Sequence, residues 1–449
     1  MIKLRWSQFV FFVKSKSQKR IIIHNTLNDS TVGMTKQIKD IVESVIDEKT
    51  DKDTVPVYIK VYIKKLTQLG ILVPFELDEK ENYLKMFHDT QCEEEKTFLI
   101  FLVTTRSCQF NCSYCFERGI SQKEQLSTET ADKIVLWCQN YLKKHQICNK
   151  LEVVLYGGEP LLNKKIIKYI LPKLYDIAGK KNILFSLDII TNGELLDLET
   201  LSFLRQYNLN MVKITLDGPK KIHDKRRIRK DGKGTFDKII QNILMGFRHN
   251  LLQKVHLHIN FDRQNVHSIP KLFDLLVAHN LQQKIEFSFI STFPIISEQL
   301  GRKILNSHFT KFGFSENENI DKYLWLCQEA KKRGLNIPKK WMIGPVCSAT
   351  KIHSVVIEPD GTLLKCPRTV GQKEFVFGNI SFTNEAYDRN FNKFDYLKKC
   401  LSKSCPLLPL CNGGCRFQAY VSSRNSAKTY CKSKFIEKIN KGLVQLNFI

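Results

Sequence analysis

Between residues 98 and 292, short β-rich runs alternate with amphipathic helical stretches, and this alternation limits the possible folds more than any other feature. It predicts strands at Phe98–Thr104, Leu151–Tyr156, Leu184–Ile190, Met211–Leu216, Val255–Phe261 and Ile285–Ile290. Helices such as Thr128–His145 and Phe236–Arg248 lie between them. Strands separated by helices are parallel and joined by crossovers, so the expected class is α/β. In barrels built this way, chemistry is carried by the loops at the carboxyl ends of the strands.

Those loops hold the chain's distinctive residues. The first strand runs into Cys108-x-x-x-Cys112-x-x-Cys115. Three thiolates can hold three irons of a four-iron cluster and leave the fourth open to a second molecule. A zinc knuckle or buried thiols are the alternatives, but structural zinc sites close with a second Cys or His pair, and none lies nearby. Gly157-Gly158-Glu159-Pro160 ends the second run, and Thr191-Asn192-Gly193 ends the third. Ile214–Pro219 ends the fourth and leads to His223-Asp224, Arg227 and Asp231–Phe236. Asn260–Asn265 ends the fifth.

This order of motifs, over about residues 98 to 292, resembles the radical S-adenosylmethionine (SAM) enzymes, and in detail their peptide- and protein-modifying branch. Tyr114 matches the family's aromatic residue before the third cysteine. The resemblance implies a partial (βα)6, TIM-like barrel with a 4Fe–4S cluster on Cys108, Cys112 and Cys115. It further implies SAM contacts at Tyr114, Gly157, Gly158, Glu159, Asn192, Thr215 and Arg227. Glycines let the backbone approach the methionine part of SAM. Glu159 would accept from its amino group, and Arg227 would pair with its carboxylate as a planar, bidentate donor. His223 and Asp224 would fix their loop. The implied reaction is reductive cleavage of SAM to a 5′-deoxyadenosyl radical that abstracts a substrate hydrogen; no substrate-side base is assignable.

A second cysteine field comprises Cys347, Cys366, Cys400, Cys405, Cys411, Cys415 and Cys431. With Gly361 ahead of Cys366, it resembles the SPASM domain, which carries auxiliary clusters. An Asp360-Gly361 hairpin between Ser354–Ile357 and Leu363–Leu364 would bring Cys347 and Cys366 together. By the family's interleaved ligation, Cys347, Cys366 and Cys415 would hold one cluster, and Cys400, Cys405, Cys411 and Cys431 the other. Two departures stand out. Four residues rather than two separate Cys400 from Cys405, with Ser402 where the usual cysteine falls, and no cysteine lies shortly before Cys347. The first cluster would then have an open site, or Cys327 or water would fill it. Two structural zinc ions are the competing reading. Cys92, Cys138, Cys148 and Cys327 read as ordinary thiols.

Residues 1–97 combine short strands (Phe9–Val13, Arg20–His24, Thr31–Met34) with helices (Lys36–Asp47, Pro56–Leu69), and Gly70 caps the second. This pattern fits either a winged-helix-like module that binds a substrate's leader segment or a packing extension over the open barrel. Residues 293–345 read as a helical bridge, 346–435 as the cysteine-rich domain and 436–449 as a tail. The chain has 14 cysteines and no signal-peptide pattern, so it reads as a reduced, cytoplasmic, metal-binding protein. No apolar run is long enough to cross a membrane. A net charge of +25 invites a nucleic-acid reading, but the lysines are scattered and no RNA-binding module is present. The expected function is maturation of a ribosomally made peptide, by a thioether or another radical crosslink, with flavodoxin or ferredoxin as electron donor. A sulfatase-maturase-like oxidase is the runner-up; those enzymes place Asp directly after the cysteine equivalent to Cys366, where this chain has Pro367. An RNA-modifying enzyme and a structural metal-binding protein are further alternatives.

Overall fold

The computed structural model describes residues 3–15, 19–51, 54–115, 117, 124–292, 303–341, 347–381 and 395–448. Its strands are β1 (Leu4–Trp6), β2 (Val10–Lys14), β3 (Ile21–Asn25), β4 (Thr31–Met34), β5 (Leu72–Pro74), β6 (Thr97–Thr105) and β7 (Lys150–Gly157). They continue as β8 (Leu184–Thr191), β9 (Leu209–Thr215), β10 (Val255–Phe261), β11 (Ile285–Ser291), β12 (Ser354–Ile357), β13 (Thr362–Leu364) and β14 (Gly378–Asn379). Strands β6 to β11 are parallel, and each pairs with its neighbour in sequence. This is the predicted α/β sheet, and the six expected strands are all present.

The physical basis of the sheet is visible strand by strand. β6 is buried along most of its length, as a parallel strand covered on both faces should be. β10 alternates instead: Val255, Leu257, Ile259 and Phe261 are buried, while His256, His258 and Asn260 lie on its other face. The crossover helix Thr128–Lys144 starts at Ser127, whose hydroxyl accepts from Thr130 N, and buries Ala131, Ile134, Cys138 and Leu142 at helical spacing. Cys138 is thus a core thiol.

The sheet does not stop at the barrel. β12 pairs in parallel with β6, Ser354 opposite Leu99 through Ile357 opposite Leu102, and β13 and β14 extend it to nine strands. The expected hairpin forms, but as an extension of the barrel sheet rather than a free-standing unit.

The N-terminal region contains the three-stranded antiparallel sheet β2–β3–β4 and the helices Lys36–Ile46 and Val57–Gln68. It also contains two elements the sequence did not signal: β1, paired antiparallel with β5, and a helix at Glu79–Glu95. That helix is mostly polar. It buries Tyr83 and Phe87 against Phe9 from its own region and against Tyr396, Leu397 and Leu408 from the cysteine-rich region. Tyr83 also donates to Asn412 Oδ1 (2.9 Å), and Thr26 Oγ1 donates to Pro406 O (2.5 Å).

In the bridge, helices lie at Lys303–Phe312 and Glu316–Lys332, the second started by a Ser315–Glu318 capping box. The residues read as a tail instead form a helix, Ser433–Asn447. Its apolar stripe (Phe435, Ile436, Ile439, Leu443) is buried, and the helix lies against Glu316–Lys332, β2 and β3. Alternation of that stripe with lysines disguised it as a solvated end.

Candidate active site at the carboxyl ends of the barrel strands

The cysteine loop leaves the end of β6 and is held from two sides. Phe110 pairs with Arg229 in an antiparallel bridge, Asn111 N donates to Ile228 O, and Lys230 N donates to Gln109 O. On the other side, Gly158 N donates to Thr105 O and Glu159 N to Ser107 O. The two glycines are required here by space as well as conformation. Gly157 has φ +142°, and a Cβ on Gly158 would lie 2.5 Å from Ser107 O and 2.7 Å from Arg106 O.

Cys108, Cys112 and Cys115 come together in this loop and lie within one another's electrostatic reach. Burial pushes the Cys108 thiol up to about 12, with the Glu159 charge adding to it, and burial likewise raises Cys112 and Cys115. Buried soft donors of this kind release their protons when they take a metal. The donor set, three clustered thiols beside a glycine-lined backbone, fits a site-differentiated iron–sulfur cluster.

Glu159 is fully buried. Its carboxylate accepts from Leu161 N (3.0 Å), Thr191 Oγ1 (2.7 Å) and Asn192 N (2.7 Å). It therefore ties the end of β8 to the end of β7, with three of a carboxylate's roughly four acceptor sites taken. Asn192 is poised over the cysteine loop, its Nδ2 lying 3.9 Å from Cys108 Sγ. Thr215 sits half-buried at the end of β9.

Arg227 is buried, and its Nη1 donates to Tyr114 Oη (2.8 Å). Its Nε has no hydrogen-bond partner among the described residues. Burial alone would weaken its charge, but Cys112, Tyr114 and Asp217 outweigh that and hold it protonated. A buried guanidinium with a spare donor suits an anionic ligand. His223 is wedged between Asp217 N and Thr235 Oγ1, and burial drives it down to about 3, so it is neutral. Asp224 caps the next helix by accepting from Thr235 N (2.8 Å) and Phe236 N (2.9 Å). Both residues fix the loop.

The structure adds a buried ionic network beside these residues. Tyr114 Oη donates to Asp217, which also accepts from Asn260 N (3.1 Å) and lies 3.5 Å from Arg226 Nε. Arg226 Nη1 donates to both carboxylate oxygens of Asp262 (2.8 and 2.9 Å), and His308 Nε2 lies 2.9 Å from Asp262. Asp217 and Asp262 stood inside quoted motifs, but nothing in their spacing revealed that they share Arg226. His308, from the bridge, carried no signal at all.

The C-terminal thiols separate into two sets by mutual electrostatic contact. Cys347, Cys366 and Cys415 form one, and Cys400, Cys405, Cys411 and Cys431 the other. Burial raises Cys366 and Cys411 to about 12 and Cys400 to about 11, whereas the Ser433 hydroxyl lowers the exposed Cys431. Cys327 belongs to neither set. It is buried in the helix Glu316–Lys332 with Tyr323 as its electrostatic neighbour. Among the described residues, no group of three or more Cys, His, Asp or Glu side chains is placed to hold a single metal ion.

Comparison with known proteins agrees with this geometry. Residues 102–276 match the model of the Radical SAM superfamily. Fe-coproporphyrin III synthase of Methanosarcina barkeri is 29% identical over 224 residues, 49% of this chain and 49% of that protein, so this match spans about half its length. The cysteine-type anaerobic sulfatase-maturating enzyme of Clostridium novyi is 25% identical over 74% of this chain and 92% of its own. Among solved structures, native anSMEcpe with bound AdoMet has a TM-score of 0.60 at 18% identity, covering 78% of this chain and 99% of that one. Streptococcus suis SuiB bound to precursor peptide SuiA has a TM-score of 0.51 at 14% identity, covering 96% and 99%. At these identities the structural likeness is one of fold. No helix of the described residues is long and apolar enough to cross a membrane. With its family match lying across the partial barrel and the cysteine loop at its mouth, the chain carries a radical SAM domain, and members of that superfamily use a 4Fe–4S cluster and SAM.

Proposed function

We propose that this enzyme matures a ribosomally made peptide, forming a thioether or another radical crosslink at an unactivated carbon. The observation that carries the reading is the separation of ten cysteines into three sets, one at the barrel mouth and two in the C-terminal region. An N-terminal unit with a three-stranded antiparallel sheet and helices, braced against the cysteine-rich region, adds support. SuiB, which aligns over nearly the whole chain, was solved with a precursor peptide.

Cys108, Cys112 and Cys115 would hold the SAM-binding cluster, and the two C-terminal sets would hold auxiliary clusters. When bound, the cluster and SAM supply a 5′-deoxyadenosyl radical. The protein's own part is to bind, orient and keep water out. Gly157 and Gly158 let the backbone approach SAM closely, and Arg227 offers its free Nε to the carboxylate. Asn192 and Thr215 sit on neighbouring strand ends as further SAM contacts. Tyr114 is locked between Asp217 and Arg227 and fixes the wall of the site. Flavodoxin or ferredoxin would deliver the electron.

A sulfatase-maturase-like oxidation is the second reading, favoured by relatives of that name. Against it, Pro367 follows Cys366 and starts a short 3-10 turn, leaving no carboxylate at that position. The test is anaerobic reconstitution with iron, sulfide, SAM and reductant, followed by incubation with short peptides encoded beside the gene. A two-hydrogen mass loss and a crosslinked fragment support the proposal; conversion of a sulfatase peptide's Cys or Ser to an aldehyde supports the rival. The Cys108→Ala/Cys112→Ala/Cys115→Ala variant should lose about four irons and all 5′-deoxyadenosine formation. Product above background from that variant would sink the active-site assignment.

A further inference from the structure

Arg416 is a buried cation in an unusual setting. It follows Cys415 directly and is 2% exposed. Its Nη2 donates to Gly413 O (2.6 Å) and Gly414 O (2.8 Å), its Nη1 to Ser426 O (2.8 Å) and Lys428 O (3.0 Å), and its Nε to Gly414 O (3.2 Å). The Tyr396 ring covers the guanidinium, 3.8 Å from the centroid. Every donor is satisfied, but by neutral carbonyls. Among the described residues its leading electrostatic neighbours are Tyr396, Cys415, Cys347 and Cys411, none of them a carboxylate.

Carbonyl dipoles satisfy hydrogen bonds without cancelling a charge. Burying an unpaired ion costs several kcal/mol, and proteins avoid it unless a counter-charge is present. The position of the guanidinium indicates where that counter-charge belongs. Gly413 and Gly414 lie between Cys411, of one thiol set, and Cys415, of the other. Both have positive φ, +74° and +87°, which curls their carbonyls around the arginine. Ser426 and Lys428 lie on the approach to Cys431. A Cβ on Gly414 would lie 2.0 Å from Tyr430 O, so the loop and this approach are in direct backbone contact. Tyr396 stands one helical turn before Cys400 in the helix Asp395–Ser402. The positive charge thus acts on Cys347 and Cys415 on one side and on Cys411 and Cys400 on the other.

We infer that Arg416 is the shared counter-charge of the two C-terminal iron–sulfur clusters and raises their reduction potentials. This rests on the reading of those thiols as cluster ligands. A cubane with its thiolates is anionic and becomes more so on accepting an electron, and cluster potential responds to nearby charge and hydrogen bonding. A fixed cation between two such groups therefore favours the reduced form of each. It makes Arg416 a positioning and tuning residue rather than a catalytic one.

The test uses the full chain carrying Cys108→Ala/Cys112→Ala/Cys115→Ala, so that only the C-terminal sets hold iron. Redox titration with dithionite, followed by electron paramagnetic resonance, compares this parent with added Arg416→Gln and Arg416→Lys. Arg416→Gln should shift the one-electron equilibrium at least tenfold toward the oxidised cluster, about 59 mV lower. Arg416→Lys, which retains charge but loses the fork, should stay within about threefold of the parent, roughly half of the tenfold shift on a logarithmic scale. Loss of iron from the Gln variant alone, with the Lys variant at the parental potential, also supports a requirement for charge. A Gln variant with full iron and the parental potential overturns the inference. So does a Lys variant shifted as far as Gln, or equal iron loss from both, which would mark Arg416 as a loop staple only. A parent devoid of iron would instead overturn the cluster reading itself.

Discussion

Replacing Asp262 by Asn tests whether the buried network beside the cysteine loop is held by charge or merely by shape. Asp262 has no exposed surface and accepts from Arg226, His308 and Gln264 N. Asn has nearly the same volume but removes the charge that Arg226 faces at 2.8 and 2.9 Å. Arg226 would then be left with Asp217 at 3.5 Å as its carboxylate partner, and Asp217 is shared with Tyr114 and Asn260. Removing one partner of a buried ion pair costs about 3–5 kcal/mol. A chain of this size does not unfold in one step, so the suitable assay is native-state hydrogen exchange on the amides of β9 and β10, which reads local opening. At a factor of ten per 1.4 kcal/mol, protection there should fall by about two to three and a half decades. Arg226→Met should also destabilise, and the double variant should lose less than the sum by at least about 2 kcal/mol, because the two residues form one interacting unit. The pH dependence has a definite sign. Burial works to raise the Asp262 carboxyl, but the His308 hydrogen bond and the Arg226 charge overcome it and hold it below the usual carboxylate range. Its contribution is therefore complete above the ordinary value of about 3.9 and is lost as pH falls through the depressed folded value. The difference between wild type and Asp262→Asn should be flat from neutral pH down to about 4 and shrink below that. A protection change under tenfold, or strictly additive single variants, would refute the charge argument.

Three further outcomes are expected. Arg227→Lys keeps the charge but loses the Tyr114 contact and the spare Nε, so SAM should bind about 5- to 140-fold more weakly, the equivalent of about 1–3 kcal/mol; unchanged affinity by equilibrium dialysis would remove Arg227 from the site. Gly158→Ala forces the backbone away from Ser107 O and Arg106 O, so SAM affinity should drop more than about tenfold while the C-terminal sets keep their iron; wild-type affinity would show that the close approach is not needed. Tyr83→Phe removes the Tyr83 hydroxyl that donates to Asn412 Oδ1 and should reduce protection of the Cys411 and Asn412 amides by about 1–3 kcal/mol; unaltered exchange would mean that this hydroxyl does not brace the cysteine-rich region.

Deleting residues 1–97 would be a poor test of leader recognition. Phe9, Tyr83 and Phe87 share a core with Tyr396, Leu397 and Leu408, so the deletion would strip support from the helix that carries Cys400. Single substitutions on the exposed face of Val57–Gln68, at Val57 or Val61, spare that core and separate binding from packing.

The sequence by itself determined the elements of the barrel and the residues at its mouth. Periodicity is a local property: a parallel strand covered on both faces must be a short apolar run, and its crossover helix must repeat every three to four residues. The cysteine loop and Gly157–Pro160 were legible for a related reason, since each follows directly on a strand end, whereas Arg227, beyond the helix Lys220–Arg226, was legible only through its place in the order of motifs. Tertiary structure alone decided what met across the chain. The pairing of β12 with β6 joins residues more than 250 positions apart, and no local pattern encodes that register. The Asp217–Arg226–Asp262–His308 network draws on two strand ends, the helix Lys220–Arg226 and the bridge, and the mostly polar helix Glu79–Glu95 acquires its buried face against Phe9 and the cysteine-rich region together. Arg416 followed a cysteine in plain view, yet its meaning depends on five carbonyl contacts and on the thiols that are its neighbours among the described residues. Charge neutralisation in a buried site is a property of the assembled volume, and a linear pattern does not contain it.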